Sequence, residues 1–280
     1  IGRGGREAPA SGHHHRRACR PHDECWKRRR VHTLKKVVDK MLVILPFEKD
    51  FYDNYGIDAH YVGHPLLDQI KKTRTVNKKL FYKNNNLIPK REVIALLPGS
   101  RKQEVGRMLE IMLKMVDMYP NYQFIIACAP SLPLEFYKSI VGEANVKLLQ
   151  NKTYELLQVA SAAIVTSGTA TLETALFYVP EVICYKGNPV SYMIAKKLVK
   201  VKYICLVNLI MNKPVVKELI QDDLTPENIK KELDLMLGDH KTQRRFLEDY
   251  EELKILLGNA GASDNAANIV FSTIKNVNKK

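Results

Sequence analysis

Two short segments hold the residue types that proteins use to bind phosphate. In the first, Gly99, Ser100 and Arg101 follow the continuous apolar run of residues 93–97. Glycine lets the backbone approach a ligand closely, serine can cap the helix that follows, and the planar guanidinium of arginine matches a phosphate group. A strand–turn–helix connection without any ligand would use the same residues, so both interpretations stand at this point.

The second segment places hydroxyl groups and a glycine at the predicted start of a helix. Ser167, Gly168 and Thr169 would direct several donors at an anion, and Glu173, about one turn further on, could accept hydrogen bonds from a ribose diol. Ordinary helix capping explains the same pattern. Neither segment has the glycine and lysine spacing of a dinucleotide fingerprint or a P-loop. Together, the two segments favour a nucleotide-binding domain.

The elements that would position both segments alternate between strand and helix. Apolar patterns predict strands at residues 93–97, 123–127, 146–149, 162–165 and 181–184, and helices at residues 105–116, 134–141, 154–160, 169–178 and 190–199. Three more helices are predicted at residues 226–237, 241–257 and 263–277. This alternation is typical of an α/β fold with a doubly wound parallel sheet, in which ligands lie at the carboxyl ends of the strands.

The residues before this unit divide into three stretches. Residues 1–25 form a basic segment without hydrophobic periodicity, which we predict to be disordered and unrelated to the rest. The next stretch, residues 26–63, predicts helices at 31–38 and 48–55 and strands at 41–45 and 60–62. Residues 64–92 are polar and rich in asparagine and lysine, which predicts a linker.

Composition and charge exclude several classes of protein. The net charge is +14, and eleven basic residues against three acidic ones lie among the first 36. The longest apolar run, residues 41–47, is far too short to span a membrane. Five cysteines without paired spacing indicate reduced thiols, and the His and Cys residues before position 26 match no zinc-site spacing, so we predict no metal. A nucleic-acid binder would need aromatic residues among the basic residues 16–30, where Trp26 is alone, so we predict no nucleic-acid partner.

Five sequence blocks in a fixed order connect the two turns with the rest of the chain. They are Leu45-Pro46-Phe47-Glu48-Lys49, Gly63-His64-Pro65, Leu97-Pro98-Gly99-Ser100-Arg101, the block from Ser167 to Glu173, and the block from Tyr203 to Gln221. This series resembles the lipid-A-disaccharide synthase family, from about Trp26 to the C-terminus. The resemblance implies the Rossmann-like donor-binding domain of a GT-B type glycosyltransferase over residues 93–258. It also implies a last helix, within residues 259–280, that returns toward the N-terminal domain.

The resemblance implies an inverting glycosyltransferase that uses no metal and no cofactor. The family transfers 2,3-diacylglucosamine from UDP-2,3-diacylglucosamine to 2,3-diacylglucosamine 1-phosphate (lipid X), in lipid A biosynthesis. The products are the lipid A disaccharide 1-phosphate and UDP. The expected location is the cytoplasm, peripherally on the inner face of the inner membrane, and a homodimer is left open. The alternatives are a UDP-binding module without turnover and another UDP-sugar enzyme of the same architecture.

The resemblance also implies a role for each turn in holding the diphosphate of the donor. Arg101 would neutralise the diphosphate as the glycosidic bond breaks, which makes it a catalytic residue. Gly99 and Ser100 would shape the loop around it. Further donors at the helix end are implied for Ser167, Gly168 and Thr169.

The resemblance also implies roles for three other residues. Glu173 would hold the ribose hydroxyls. Asn208, on the loop after a strand predicted at residues 204–207, would be a catalytic polar group near the reacting sugar. Gln221 is a weaker candidate for the same cleft.

The start of the chain departs from the family's pattern. Family members begin with a complete Rossmann-like domain that binds the acceptor, meets the membrane and supplies the carboxylate general base. Residues 26–63 correspond to the last helix and strands of that domain. We therefore expect a truncated chain in which the donor half is present and the base that an inverting displacement requires is missing.

Overall fold

The computed structural model describes residues 28–187 and 202–277. The segment predicted to be disordered, residues 1–25, and the helix predicted at residues 190–199 lie outside the described residues. Within the described ranges, no helix is both long enough and apolar enough to cross a membrane.

Strands and helices alternate along the chain much as predicted. The strands are β1 (Met41–Val43), β2 (Ala59–Tyr61), β3 (Glu92–Leu97), β4 (Tyr122–Cys128), β5 (Val146–Gln150), β6 (Ala160–Thr166), β7 (Glu181–Tyr185) and β8 (Lys217–Ile220). The helices are α1 (Arg28–Val37), α2 (Pro46–Asp53), α3 (Pro65–Lys72), α4 (Lys78–Asn84), α5 (Lys102–Met118), α6 (Leu134–Val141), α7 (Thr153–Leu157), α8 (Thr169–Leu176), α9 (Leu206–Met211), α10 (Pro226–Gly238), α11 (His240–Leu257) and α12 (Ala262–Val277). A 3₁₀ turn, Gln221–Asp223, follows β8.

The main sheet of the described chain is parallel throughout, with the strand order β5-β4-β3-β6-β7-β8. From β3 the chain moves outward to β4 and β5, then returns to the centre at β6 and moves outward on the other side. β3 and β6 are therefore neighbours, with Leu97 opposite Val165. This confirms the predicted doubly wound α/β fold, and the topological switch point lies between β3 and β6.

Burial explains why the elements around the first turn form as they do. The side chains of β3 from Val93 to Leu97 are all buried, as expected for a strand that is covered on both faces. The buried side chains of α5 recur every three or four residues, which is the pattern of one helix face. They are Val105, Met108, Leu109, Met112 and Met115. The turn between β3 and α5 is thus fixed at both ends by packed elements.

A smaller sheet pairs β1 with β2 in parallel and has a hydrophobic cluster of its own. Two hydrogen bonds join it to the last part of the chain. The Tyr61 hydroxyl donates to the carbonyl oxygen of Leu257 at 2.8 Å. The side-chain amide of Asn265 donates to the carbonyl oxygen of Val62 at 3.1 Å. Helix α12 therefore begins beside the small sheet.

Helix α3 connects the two sheets. Its cap is His64, a buried residue whose Nδ1 accepts a hydrogen bond from the Leu66 amide at 3.2 Å. Burial lowers the pKa of His64 to about 4, so the imidazole stays neutral and keeps its acceptor. Asp68 accepts hydrogen bonds from the amides of Gly261 and Ser263, and these bonds hold the pKa of Asp68 below its usual range. Helix α3 thus holds the start of α12.

Residues 64–92 are folded, although their composition predicts a linker. They contain α3 and α4. Leu66, Phe81 and Tyr82 are buried and belong to the same hydrophobic cluster as the main sheet. A short helix needs only a few apolar residues to pack on a large core. In this segment those few residues are outnumbered by lysine and asparagine, so the composition does not indicate the helices.

The strand predicted before Asn208 is also wrong. Residues 204–207 are expected to form a strand, but they lead into helix α9. The strand in this region is β8, which is not among the strands predicted from the sequence. Leu219 is the one fully buried side chain of β8, so this edge strand lacks the continuous apolar run that marks the central strands.

A buried carboxyl in the main sheet has no hydrogen-bond partner among the described residues. Glu181 opens β7 opposite Ala163 of β6. The residue is 1% exposed, and neither carboxyl oxygen finds a donor in the described part of the chain. Burial raises the pKa of Glu181 well above its usual range. The neutral form is favoured because a charged carboxylate without a partner is very costly in a protein interior.

Replacing Glu181 with methionine is expected to stabilise the protein. Burial raises the pKa of Glu181 in the folded state above its value of about 4.3 in the unfolded chain. The free energy of unfolding is therefore highest below a pH of about 4.3, where the carboxyl is protonated in both states, and it falls as the pH rises through the folded pKa. Glu181→Met should therefore increase the free energy of unfolding by about 1–3 kcal/mol at pH 8, and by less at pH 5. Urea denaturation at the two pH values measures both differences.

Glu181→Gln is the matched control, since glutamine keeps a buried polar group but does not titrate. It should remove the same pH dependence and remain less stable than Glu181→Met. A methionine variant that is no more stable than the wild type at pH 8 would show that the buried Glu181 carboxyl does not destabilise the fold.

Candidate functional site

The two predicted phosphate-binding turns lie side by side. The first, from Pro98 to Arg101, joins β3 to α5, and the second, Ser167 and Gly168, joins β6 to α8. Because β3 and β6 are neighbours in a parallel sheet, both turns leave the same edge from strand ends about 4.8 Å apart. The starts of α5 and α8 therefore face one space at the switch point, which is where folds of this type bind ligands.

A carboxylate organises the first turn. Gly99 has a φ of 103°, a left-handed conformation that favours glycine. Glu104 folds back over the turn, and its Oε2 accepts a hydrogen bond from the Ser100 amide at 3.4 Å. The same oxygen occupies the space that a Cβ atom on residue 99 would take. The left-handed backbone is thus the main reason for glycine at this position, and a Cβ atom would in addition displace the Glu104 carboxylate.

The cap of α5 differs from the prediction. Ser100 is expected to cap this helix, but the N-cap position is occupied by Arg101, whose side chain makes no cap hydrogen bond and is exposed. Glu104 satisfies the turn from inside the helix instead. Glu104 is not among the site residues predicted from the sequence, although its position three residues after Arg101 has the spacing of a capping box. Arg101 thus stands at the start of α5, which borders the space that the two turns share.

The second turn leaves the start of α8 open. The Ser167 amide donates to the carbonyl oxygen of Cys184 at 3.0 Å, so this predicted donor is used inside the sheet. Gly168 is extended, with a φ of 166°, and its carbonyl oxygen accepts from the Thr171 hydroxyl at 2.8 Å. Helix α8 has no side-chain cap and no acidic residue in its first turn. The Thr171 amide donates to the carbonyl oxygen of Gly168 at 3.3 Å. The amides of Thr169 and Ala170, which precede it, have no acceptor within the helix and form its positive end.

Glu173 lies on α8, one turn beyond this open helix start. The side chain is half-buried, and its Oε1 accepts a hydrogen bond from the hydroxyl of Tyr154 on α7 at 2.9 Å. Burial raises the pKa of Glu173, and the hydrogen bond from Tyr154 opposes that rise. The Tyr154 hydroxyl also lies 3.0 Å from Oε1 of Gln69 on α3. Neither Tyr154 nor Gln69 carries a sequence signal, because the three residues come from distant segments.

A cleft opens beside Tyr154 at the same edge of the sheet. Its volume is about 550 Å³, and it lies between residues 73–76 and residues 151–155 after β5. The Gln158 side chain ties these two walls together: its Oε1 accepts from the Val76 amide at 2.9 Å and its Nε2 donates to the carbonyl oxygen of Arg74 at 3.1 Å. The cleft is thus a continuation of the site along α7.

Asn208 lies within helix α9, whereas the prediction places it on a loop after a strand. The residue is buried, and its side-chain amide donates to the carbonyl oxygen of Val216 at 2.9 Å and to Oε1 of Glu218 at 3.0 Å. Its Oδ1 accepts from the Val216 amide at 3.0 Å. The Glu218 carboxylate also accepts from the amides of Ile204 and Cys205. Asn208 and Glu218 therefore hold the start of α9 against β8.

Gln221 directly follows β8 at the edge of the sheet that carries the two turns. Its φ of 55° is a left-handed conformation that few residues other than glycine and asparagine adopt. Its Nε2 is buried and has no hydrogen-bond partner among the residues described. Strained backbone of this kind concentrates at functional sites, which keeps Gln221 a candidate.

The described residues contain no group of three or more His, Cys, Asp or Glu side chains that could hold a metal ion. Cys128, Cys184 and Cys205 are free and buried. Burial raises the pKa of all three thiols, that of Cys128 to about 12, which keeps them protonated and unreactive.

Comparison with known sequences identifies one family. A sequence model described as lipid-A-disaccharide synthetase matches residues 21–270. The lipid-A-disaccharide synthase of Syntrophus aciditrophicus (strain SB) is 38% identical over 260 residues, which cover 89% of this chain and 67% of that protein. That of Geobacter sulfurreducens is 35% identical over 255 residues, covering 89% and 66%. The chain thus spans about two thirds of the length of these relatives.

Comparison with solved structures supports the fold. A putative UDP-N-acetylglucosamine 2-epimerase from Listeria monocytogenes superimposes with a TM-score of 0.57 at 13% identity, over 88% of this chain and 62% of that one. WaaG, a glycosyltransferase involved in lipopolysaccharide biosynthesis, gives 0.52 at 11% identity, over 81% and 61%. Both likenesses concern the Rossmann-like architecture.

The first turn is expected to be sensitive to a single methyl group. Gly99→Ala places a Cβ in a left-handed conformation and against the Glu104 carboxylate. Glutamate can move aside, but the backbone strain remains, so the free energy of unfolding should fall by about 1–3 kcal/mol. Gly106→Ala in α5 is the matched control, because its Cβ position has no atom of the described residues within 4 Å apart from its chain neighbours and its own helix backbone.

That control should gain about 0.5–1 kcal/mol, since alanine is a better helix former than glycine. Urea denaturation of the two variants gives both numbers. Equal stability of Gly99→Ala and the wild type would show that the turn does not hold residue 99 in the left-handed conformation.

Proposed function

The chain belongs to the lipid-A-disaccharide synthase family of glycosyltransferases, and we propose that its switch-point site binds the donor UDP-2,3-diacylglucosamine. The observation that carries this proposal is the meeting of two helix starts, α5 and α8, at the carboxyl ends of neighbouring parallel strands. Two helix N-termini directed at one space suit a diphosphate, which carries more than one negative charge.

The diphosphate would lie between the two turns. The first two amides of α8, those of Thr169 and Ala170, offer hydrogen bonds and a positive dipole end. Arg101 at the start of α5 adds a full positive charge in a planar fork that matches phosphate oxygens. As the bond between the sugar and the diphosphate breaks, negative charge grows on the leaving oxygen, and these groups stabilise it where it develops.

The nucleoside would follow α8 inward from the diphosphate. Glu173 lies one turn along the helix, at the distance of a ribose, and a carboxylate accepts hydrogen bonds from two neighbouring hydroxyl groups. The base would then lie beside Tyr154, where the cleft of about 550 Å³ opens. In this arrangement the diphosphate, the ribose and the base each occupy a different part of the site, and the sugar would lie next to the first turn.

The acceptor side of the reaction is proposed from the family alone. The acceptor would be lipid X, whose 6-hydroxyl attacks the donor sugar with inversion, and a base must remove its proton. We assign that base to none of the described residues. Since both substrates carry acyl chains, the reaction would take place at the inner face of the inner membrane, with this chain bound peripherally. The proposal also allows for a homodimer.

Titration calorimetry with UDP tests the donor site directly. In buffer with a chelator, the chain should bind UDP without divalent metal, and Arg101→Ala and Glu173→Gln should each weaken binding by about 1.5–3 kcal/mol, or about 10- to 150-fold, which is the range of hydrogen bonds to charged groups. Arg107→Ala, an exposed arginine further along α5, is the control and should bind as the wild type does.

Unchanged affinity in both site variants would remove the assignment of the site. Binding of UDP without transfer of sugar to lipid X would favour a binding module over a complete enzyme. A melting curve for each variant separates lost binding from lost folding.

A further inference from the structure

We propose that Tyr154 is a positioning residue for Glu173, and that Gln69 orients Tyr154. This inference rests on the proposed donor site, in which Glu173 receives the ribose. The three side chains form one hydrogen-bonded chain across three helices, from α3 through α7 to α8. The Tyr154 hydroxyl stands between the other two, 2.9 Å from Oε1 of Glu173 and 3.0 Å from Oε1 of Gln69.

The tyrosine ring is held firmly in this place. It packs against the ring of Phe177, with centroids 5.1 Å apart and the planes tilted by 49°. On α7, Leu156 and Leu157 are fully buried in the main core. Gln158, at the end of the same helix, bonds to the backbone of residues 74 and 76. A side chain with so little freedom can fix the direction of its neighbour.

The chain of hydrogen bonds can run in two directions, because a tyrosine hydroxyl has one hydrogen to donate. When Glu173 is ionised, Tyr154 donates to the carboxylate and accepts from the amide group of Gln69. When Glu173 is protonated, Glu173 donates to Tyr154, which in turn donates to the carbonyl oxygen of Gln69. Oxygen and nitrogen of the glutamine amide exchange places between the two arrangements.

The ionised arrangement is the one that suits a ribose. Tyr154 engages Oε1, which leaves Oε2 to accept from the sugar hydroxyls. Among the described groups, burial and the Tyr154 hydroxyl determine the pKa of Glu173, the first raising it and the second lowering it. No charged side chain of α3, α7 or α8 contributes to that pKa in the described structure. Removing the hydroxyl therefore should leave burial unopposed.

Helix α3 adds a second connection. Asp68, next to Gln69, accepts hydrogen bonds from the amides of Gly261 and Ser263 at the start of α12. Gln69 is thus presented to Tyr154 by a helix that is fixed from its other side. The support of the proposed donor site extends in this way from α8 to the start of α12.

Calorimetric titration of UDP into the full chain, repeated at several pH values from 5 to 8, tests the proposal. Tyr154→Phe should bind UDP about tenfold more weakly at pH 7, the effect of losing one hydrogen bond to a charged group. As the pH falls, the wild type should lose affinity when Glu173 takes up a proton. In Tyr154→Phe the midpoint of this loss should move upward by about one pH unit. Gln69→Leu should move it in the same direction by less.

Tyr119→Phe is the matched control. Its hydroxyl donates to Oδ1 of Asp234 at 2.6 Å, the same kind of bond at the far end of α5, and its removal should change neither the affinity nor the midpoint. In a Glu173→Gln background, Tyr154→Phe should have no further effect on affinity, because the two residues act as one unit.

The possible outcomes separate this inference from the proposed function. A wild-type chain that folds but does not bind UDP would overturn both. If the wild type binds and Glu173→Gln does not, while Tyr154→Phe behaves like Tyr119→Phe, the donor site stands and the positioning role is refuted. If Tyr154→Phe loses the same factor in affinity at every pH and the midpoint does not shift, the positioning role is refuted as well, because a purely structural role of Tyr154 gives that result. If Tyr154→Phe does not fold, the midpoint of Gln69→Leu decides.

Discussion

The pairing of β3 with β6 is the constraint on which the rest of the structure depends. The two strands are separated by more than 60 residues of chain, and four consecutive pairs, from Ile94 opposite Ala162 to Leu97 opposite Val165, place them in register. Both strands are buried in the middle of the sheet, so a shift of one residue would turn their side chains to the wrong faces. That register brings the two turns to the same edge. The location of the site therefore follows from the strand order of the sheet. The packed core fixes where the two turns lie, and the turn residues determine what can bind there.

The distribution of carboxylates explains why an anion would choose this edge. Glu218 satisfies the start of α9, and Asp239 satisfies the first amides of α11. Each of these helix starts is thus neutralised by the protein itself. Helix α8 lacks both a side-chain cap and an acidic residue in its first turn. A helix start that is open at the switch point of the sheet leaves positive potential for a ligand to satisfy, and the exposed Arg101 adds to it.

Local sequence patterns are enough to predict the central strands and helices. They fail where contacts between residues far apart in the sequence determine the structure. The continuous apolar runs predict β3 and β6, and the three- and four-residue spacing predicts α5. In these segments the pattern of apolar residues in the sequence matches the pattern of buried side chains in the structure. The start of α9 is different, since the Glu218 carboxylate that holds the amides of Ile204 and Cys205 comes from β8, more than ten residues later. The contact between Glu173 and Tyr154 is likewise invisible in sequence, because it joins two helices whose spacing follows from the sheet.

The same contacts indicate which residues form one functional unit. The turns and Glu173 come from the main sheet, but their support includes helix α3, which precedes that sheet. Gln69 meets Tyr154, Asp68 holds the start of α12, and the backbone of residues 74 and 76 meets Gln158. A boundary at residue 93, which composition suggests, would cut every one of these connections. The proposed donor site and α3 therefore share one set of contacts, and a movement of α3 would reach Glu173 through the Tyr154 side chain.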